Sequence, residues 1–407
     1  MSDPVGLGAY RNEVDEIDAA LVELIARRLR IVDAVSAAKA VRAQPVRDPG
    51  REREVLDRVE SAAIDLGVPG ELVRRIFREL VSYAVDRQVA DLLPGSATPV
   101  VVAFQGTEHT DNHLAARKFM VARRDEAATF VGHATYADAV ASVIAGSCDL
   151  AVLPIESTAA GSINEVYDLL QRTGAAVVGE ETWRLEHCLA TVAEVPVSSI
   201  TRVFSDARGL EQCSVLLRSL PEALPVACPD ASQAMRLVSE SADPTWAAIG
   251  PPESADAYGL VILRRRIAEN LDSYVRFLVL ARDPITVDRR IPSKTSIVLV
   301  TRHEDGALLR CLQILAASGR SMTKLESRPL PGRPFEYLFF LDFEGNVADP
   351  GTSAVLGELS SAALSVKVLG SYPAKVTSAD ARSGAAEGPT DAIEAVVLRH
   401  GTAPFDS

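Results

Sequence analysis

Arg28 lies on one stripe with Leu21 and Val35, seven residues from each, and Lys39 follows eleven residues later. On an α-helix that spacing puts the two cations within about 20° of each other and about 16 Å apart along the axis. A cation on an apolar stripe needs an anion, and two so placed can bend inward over one compact dicarboxylate. The competing placement lets both snorkel from the flank of a bundle. A second set of groups lies in Asp272-Ser-Tyr-Val-Arg-Phe277, where Arg276 carries a planar fork suited to a carboxylate. A third is Leu153-Pro-Ile-Glu156 with Ser157, Thr158 and the Gly161-Ser162 turn, which opens a helical stretch whose free N–H groups can take another carboxylate. His109, Asp111 and His113 add groups that titrate near neutrality if partly buried; a solvated loop is their alternative setting.

These residues need three kinds of support. The first 93 residues are rich in Ala, Leu, Arg and Glu, and their spacing predicts three helices over about 10–43, 50–65 and 69–93, the first ended by Pro45. Val14, Ile17, Leu21, Leu24, Ile31 and Val35 form a stripe that should face another helix. Residues 94–99 read as a linker. From 100 to 281 short apolar strands (100–104, 150–153) alternate with helical stretches (113–122, 136–145, 162–172), the pattern of an α/β domain. Residues 283–293 are polar with two prolines and read as a second linker. A strand over 296–301, a helix over 306–317 and a strand over 337–343 follow, suggesting a ferredoxin-like α+β module over 294–374. The tail, 375–407, reads as loosely ordered, with a possible short helix over 392–400.

The 407 residues suffice for two to four domains. Hydrophobic content of 47% and charged content of 24% are those of a soluble globular protein. A net charge of -13 argues against a nucleic-acid partner. Five scattered cysteines without a CxxC pair read as reduced thiols of a cytoplasmic protein rather than a metal or disulfide framework. The start lacks a signal peptide's basic-then-apolar run, and no apolar run reaches the ~20 residues of a membrane span. No cofactor or metal is expected.

The N-terminal segment resembles the helical chorismate mutases. Arg11, Arg28, Lys39, Asp48, Arg51, Glu52 and Gln88 match that family's functional pattern, whereas Ala84 stands where a Ser is often found. The resemblance implies an intertwined dimer, or a higher oligomer, in which Arg11 reaches the partner's site. Arg11 and Arg28 would clamp the two carboxylates of chorismate, Lys39 and Gln88 would bracket its ether oxygen, and Glu52 would hold the ring hydroxyl. The rearrangement to prephenate needs no covalent catalyst, only the reactive conformer and donors at the developing charge.

Residues 100–281 resemble prephenate dehydratases, through Leu153–Glu156, the stretch from Gly161 to Leu170, Tyr258-Gly-Leu260 and Arg276-Phe277. The fold implied is two α/β lobes with prephenate between them and Arg276 on a carboxylate. The departures fall in the reactive motifs. Val275 replaces the Thr of Thr-Arg-Phe, and Ser273 replaces an Asn. Glu156-Ser157-Thr158 stands for Glu-Asn-Thr, and Asp230-Ala231-Ser232 for a Ser-Thr-Ser-like stretch. Of a Gly-Ala-Tyr-Ser-His-like loop, only His113 is kept. Val keeps the shape of Thr but has no proton to give. A lost positioned donor costs about 10²- to 10⁴-fold, so hydroxide would leave poorly while carbon dioxide still could. The chain therefore also resembles the non-aromatising prephenate decarboxylases, with His109, Asp111 or His113 supplying the ring proton. The alternatives are an ordinary dehydratase making phenylpyruvate, and an active mutase with a non-catalytic binding domain.

The last module resembles an ACT regulatory domain. Gly306, Ala307, Leu308 and Leu309 match a Gly-Ala-Leu loop, and Glu326, Ser327, Arg328 and Pro329 match a Glu-Ser-Arg-Pro motif. The resemblance implies phenylalanine bound at a dimer interface; a dimerisation module without ligand is the alternative.

Overall fold

The computed structural model describes residues 7–41, 45–92, 99–123, 125, 127–333 and 336–375. The tail beyond 375, with its possible helix over 392–400, and residues 94–98 of the first linker lie outside these. Three helices open the chain: α1 (Leu7–Val41), α2 (Pro49–Asp65) and α3 (Gly70–Leu92). Asp48 caps α2 by accepting the backbone N–H of Arg51 at 3.0 Å, and Pro49 fills the first turn, where no N–H is needed. Side chains of Arg28, Asp33 and Ser36 on α1 meet Leu80, Arg87 and Asp91 on α3, so the two helices run in the same direction. Among the described residues the apolar stripe of α1 finds no cover. Val14, Ile17, Leu21, Leu24 and Ile31 are all more than half exposed.

The first lobe contains β1 (Val101–Gln105), α4 (Asp111–Ala122), β2 (Thr129–His133), α5 (Tyr136–Ala145), β3 (Leu150–Ser157), β4 (Gly161–Ser162), α6 (Asn164–Arg172) and β5 (Ala176–Arg184). The second lobe is built of β6 (Cys188–Thr191), β7 (Arg202–Ser205), α7 (Ala207–Gln212), α8 (Ser214–Arg218), β8 (Leu224–Ala227), α9 (Ala231–Ser241), β9 (Trp246–Gly250), α10 (Pro252–Ala257) and β10 (Val261–Arg264). The chain then returns through β11 (Tyr274–Ala281), which inserts between β3 and β5, antiparallel to both. The sheet orders are β2-β1-β3-β11-β5 and β10-β6-β9-β7-β8. Two crossings therefore join the lobes, as a cleft between them requires.

The final module runs β12 (Ser293–Val300), α11 (Ala307–Ala317), β13 (Met322–Pro329), β14 (Tyr337–Glu344), α12 (Pro350–Ala362) and β15 (Ser365–Pro373). Its antiparallel sheet, β13-β14-β12-β15, has the βαββαβ order of a ferredoxin-like module. One face carries α11 and α12 over Ile297, Leu341 and Phe343. The other shares a core with the first lobe, where Val298, Phe340, Leu369 and Tyr372 pack with Leu153, Tyr167 and Val177. Gly370 permits that approach, because a Cβ there would lie 2.0 Å from the Val177 carbonyl oxygen.

Two sequence expectations change. β12 begins at Ser293 rather than 296, because its polar start is buried against partners: Lys294 pairs with Glu180 at 2.9 Å and Thr295 donates to Gly345 O at 2.8 Å. Residues 283–293 are no free linker. Val287 and Ile291 are buried with Val46 and Val85 of the helical segment, and the Val46 N–H donates to Arg290 O at 3.0 Å.

Candidate active sites

In the helical segment, burial lowers the pKa of Arg28, whose Nη1 donates to Leu80 O at 3.1 Å. Lys39 donates to Val46 O at 2.6 Å, and Glu52 takes the Nε of Arg47 at 3.0 and 3.1 Å. Arg87 bonds to Asp33, so its neighbour Gln88 lies on α3 at a level between those of Arg28 and Lys39. Gln88 is buried and its Oε1 has no hydrogen-bond partner; Ala84, one turn earlier, offers it none. An unmade bond at such a group costs about 1–3 kcal/mol, which a ligand donor would recover. Asp48 serves as a helix cap, and exposed Arg51 pairs with Glu54 at 2.6 Å. Arg11 is exposed on α1.

Between the α/β lobes lies a cavity of about 580 Å³ at the C-terminal ends of the parallel strands β1 and β2, the usual ligand position in open α/β sheets. Of the residues singled out in the sequence, Asp111, Ser157, Val275 and Phe277 line it, with Pro154, Asp230 and Ala231 of the quoted motifs. Val275 is buried, flanked in the sheet by Ser157 on β3 and Trp183 on β5. The Ser157 Oγ accepts the Ala159 and Ala160 N–H groups at 3.2 and 3.4 Å. Trp183 Nε1 donates to Asp111 Oδ1 at 2.8 Å. Burial raises the Asp111 carboxyl to about 6, against the opposing effects of His187 and the Trp183 bond. His187, also in the cleft wall, engages Gln212 through Nε2 at 2.8 Å, and its buried Nδ1 has no partner.

Arg276 is elsewhere. Successive strand residues point to opposite faces, so with Val275 and Phe277 in the cleft, Arg276 points away from it. Its Nη1 bonds Asp342 at 2.7 Å, its Nε bonds Glu180 at 2.9 Å, and its Nη2 bonds the Tyr372 hydroxyl at 3.2 Å. Burial alone would lower its pKa, but Asp342 and Glu180 outweigh burial and raise it. The expected cleft cation is instead a clasp between the first lobe and the final module. Glu156 joins it, 2.5 Å from Lys324 and 3.7 Å from Arg276. The Ser162 hydroxyl donates to Glu326 at 2.5 Å, so the Gly161-Ser162 turn also serves this interface. Thr158 pins the start of β11 by accepting the Tyr274 N–H at 2.9 Å.

His109, His113 and Ser232 do not line the cavity either. The buried His113 ring packs on Phe104 and Phe130, and its Nδ1 accepts the His109 N–H at 2.8 Å. Burial, then His109 and Arg117, push it down to about 4, so it is neutral at pH 7 and a poor acid. Ser232 bonds Glu108 O and the Tyr258 hydroxyl, and Ser254 bonds His109 O, which stitches the 108–109 loop to the second lobe. Sequence reasoning missed Trp183, His187 and Arg208. Arg208, in the first turn of α7 and three residues past the end of β7, carried the one usable signal: a βα junction at a strand's C-terminal end.

The two motifs of the final module also separate. Gly306, Ala307, Leu308 and Leu309 line a cavity of about 490 Å³ with Tyr337 and Phe339. Glu326 and Arg328 face the first lobe instead, Arg328 pairing with Asp168 at 3.0 Å, while Ser327 and Pro329 are exposed on the other side of β13.

A prephenate dehydratase family model matches residues 102–285, and a chorismate mutase type II model matches residues 10–89. The bifunctional chorismate mutase/prephenate dehydratase of Escherichia coli (strain K12) is 36% identical over 374 residues, covering 90% of this chain and 96% of that protein. Among solved structures, the prephenate dehydratase from Arthrobacter aurescens in complex with L-Phe is 26% identical with a TM-score of 0.60, covering 70% of this chain and 97% of that one. GqqA, described as a novel type of quorum quenching acylase, is 29% identical with a TM-score of 0.60, over 67% of this chain and 98% of that one.

Proposed function

Because the chain belongs to the bifunctional chorismate mutase/prephenate dehydratase family, we propose that it converts chorismate to prephenate in its helical segment and decarboxylates prephenate in the cleft without making the ring aromatic. In the first step Arg28 and Arg11 hold the carboxylates, Lys39 and Gln88 donate at the ether oxygen, and Glu52 holds the ring hydroxyl. A second copy of the chain covers the exposed α1 stripe and brings its Arg11 to the site. The uncovered stripe, and the buried Gln88 at a level between those of Arg28 and Lys39, support this reading.

In the second step the bond between C1 and its carboxylate breaks and carbon dioxide leaves. The electron pair forms a C1–C2 double bond, and the displaced C2–C3 pair takes a proton at C3. The C4 hydroxyl stays because the wall beside it is Val275. That side chain, lining the cleft without a proton to give, is the observation on which the reading rests. Asp111, largely neutral below about pH 6, supplies the ring proton. Ordinary dehydration is favoured by one observation: Ser157, beside Val275 in the β3–β11 pairing, places a hydroxyl in the same wall. NMR of the purified protein with prephenate decides. Carbon dioxide with a retained carbinol proton supports decarboxylation, and phenylpyruvate at a comparable rate refutes it.

The final module reads as an ACT domain that takes phenylalanine in the cavity at Gly306–Leu309, with a second copy completing the site. Its lining glycine, Gly306 (φ +71°), lets the backbone approach an amino acid closely. Phenylalanine would then report aromatic sufficiency to the cleft.

A further inference from the structure

Turning Arg276 toward the final module leaves a cleft for a dianion without its expected cation. Among the described residues lining that cleft, Arg208 is the one permanently charged cation. The acidic neighbours that might neutralise it are engaged. Asp206 caps α7 through the backbone N–H groups of Arg208 and Gly209 at 2.9 and 3.0 Å. Asp230 accepts the Thr107 hydroxyl and caps α9 through Gln233 N at 2.7 Å. Arg208 thus has its backbone fixed by a cap, while its guanidinium has no hydrogen-bond or ion-pair partner among the described residues. Tyr136, from the opposite lobe, lines the same cavity; burial raises its pKa and the charge of Arg208 partly offsets that rise, so the cation is within electrostatic reach of the facing wall.

We propose that Arg208 anchors the side-chain carboxylate of the substrate and thereby makes the cleft selective for a 2-oxo acid arm; this rests on the reading of prephenate as the cleft's substrate. The ring carboxylate is the wrong partner for a fixed cation. It loses its charge as carbon dioxide forms, so clamping it would stabilise the ground state more than the transition state. The side-chain carboxylate keeps its charge throughout and can be held without slowing the chemistry. With the C4 end of the ring against Val275 on the first lobe, the C1 end and its arm extend toward the second lobe, which carries Arg208.

Arg208→Gln should raise KM for prephenate about 10- to 100-fold, the worth of one charge-assisted hydrogen bond, with kcat changed less than about threefold. Arg208→Lys should recover part of the loss, since the charge returns without the fork. Added salt should raise the parent's KM more than that of Arg208→Gln. The mutase rate of each preparation reports that the chain is folded, and Arg208→Lys carries the test if the Gln variant is not. A KM within about twofold of the parent in both variants, or a fall in kcat at constant KM, overturns the assignment. The product seen by NMR judges the decarboxylase reading, and KM judges Arg208, whichever product forms.

Discussion

Replacing Arg276 by Met decides which face of β11 this residue serves. In the parent, Asp342 has Arg276 at 2.7 Å and the Ser296 hydroxyl at 2.5 Å, and Glu180 has Arg276 at 2.8 Å and Lys294 at 2.9 Å. Without the guanidinium, Glu180 keeps a cation but Asp342, 11% exposed, keeps only a hydroxyl. Unit charges about 4 Å apart attract by about 4 kcal/mol at an effective dielectric near 20, and Arg276 has two such partners. Desolvating the cation offsets part of that sum. A loss of about 3–5 kcal/mol follows, the usual cost of leaving a buried charge uncompensated. Asp342→Asn should cost less, because Arg276 retains Glu180, and the double variant should be more stable than the two losses added together. Urea unfolding followed through Trp183 and Trp246, one in each lobe, measures all three. If Arg276→Met costs under about 1 kcal/mol while raising KM for prephenate a hundredfold or more, Arg276 is a substrate ligand and the clasp is incidental.

Val275→Thr restores a hydroxyl in the same shape and should shift product toward phenylpyruvate by about 10²-fold or more relative to the parent, read by NMR; an unchanged product ratio refutes the missing-donor argument. Asp111→Asn should lower the prephenate-consuming rate about 10²- to 10⁴-fold and abolish the fall in parental rate as pH rises through about 6, the region where the desolvated carboxyl loses its proton. The same variant should gain stability relative to the parent as pH rises. A raised folded pKa stabilises the parent below the unfolded value near 4 and is lost as pH passes about 6, so at pH 8 the variant should be ahead by at most about 3 kcal/mol in thermal melts. Gly370→Ala forces a Cβ onto the Val177 carbonyl and should destabilise the module–lobe contact by about 1–3 kcal/mol or more, seen as faster proteolysis within the final module.

The helical segment was legible because composition, Pro45 and a three-to-four residue apolar period are local signals. The stripe's partner was not, since one chain leaves that stripe exposed. β12 was read three residues short because its polar start looked like loop; only tertiary partners make Lys294 and Thr295 tolerable inside. Arg276 could have been placed from sequence alone. Once 274–281 is a strand, alternation puts Val275 and Phe277 on one face and Arg276 on the other. Arg208 carried only a weaker signal, being a lone exposed cation in the first turn of α7, after β7, whose meaning depends on what faces it. His113 misled because residue type was read as chemistry, whereas its packing against Phe104 and Phe130 makes it a neutral core acceptor.

The placement of β11 also bears on how the final module could reach the chemistry. Val275 and Phe277 form cleft wall on one face of the strand, and on the reverse Arg276 is fixed by Asp342 and Tyr372 of the module. Glu156, one residue from the cleft-lining Ser157, is likewise held by Lys324 of β13. A shift of the module's sheet therefore cannot leave the wall untouched: it must break buried ion pairs or carry Val275 and Ser157 with it. Close-packed interiors resolve such conflicts by moving between discrete arrangements rather than by gradual strain. The cavity at Gly306 opens beside Phe339, on β14, three residues before Asp342. A ligand that moved β14 would act on the Arg276 pair directly, without any group of its own entering the cleft.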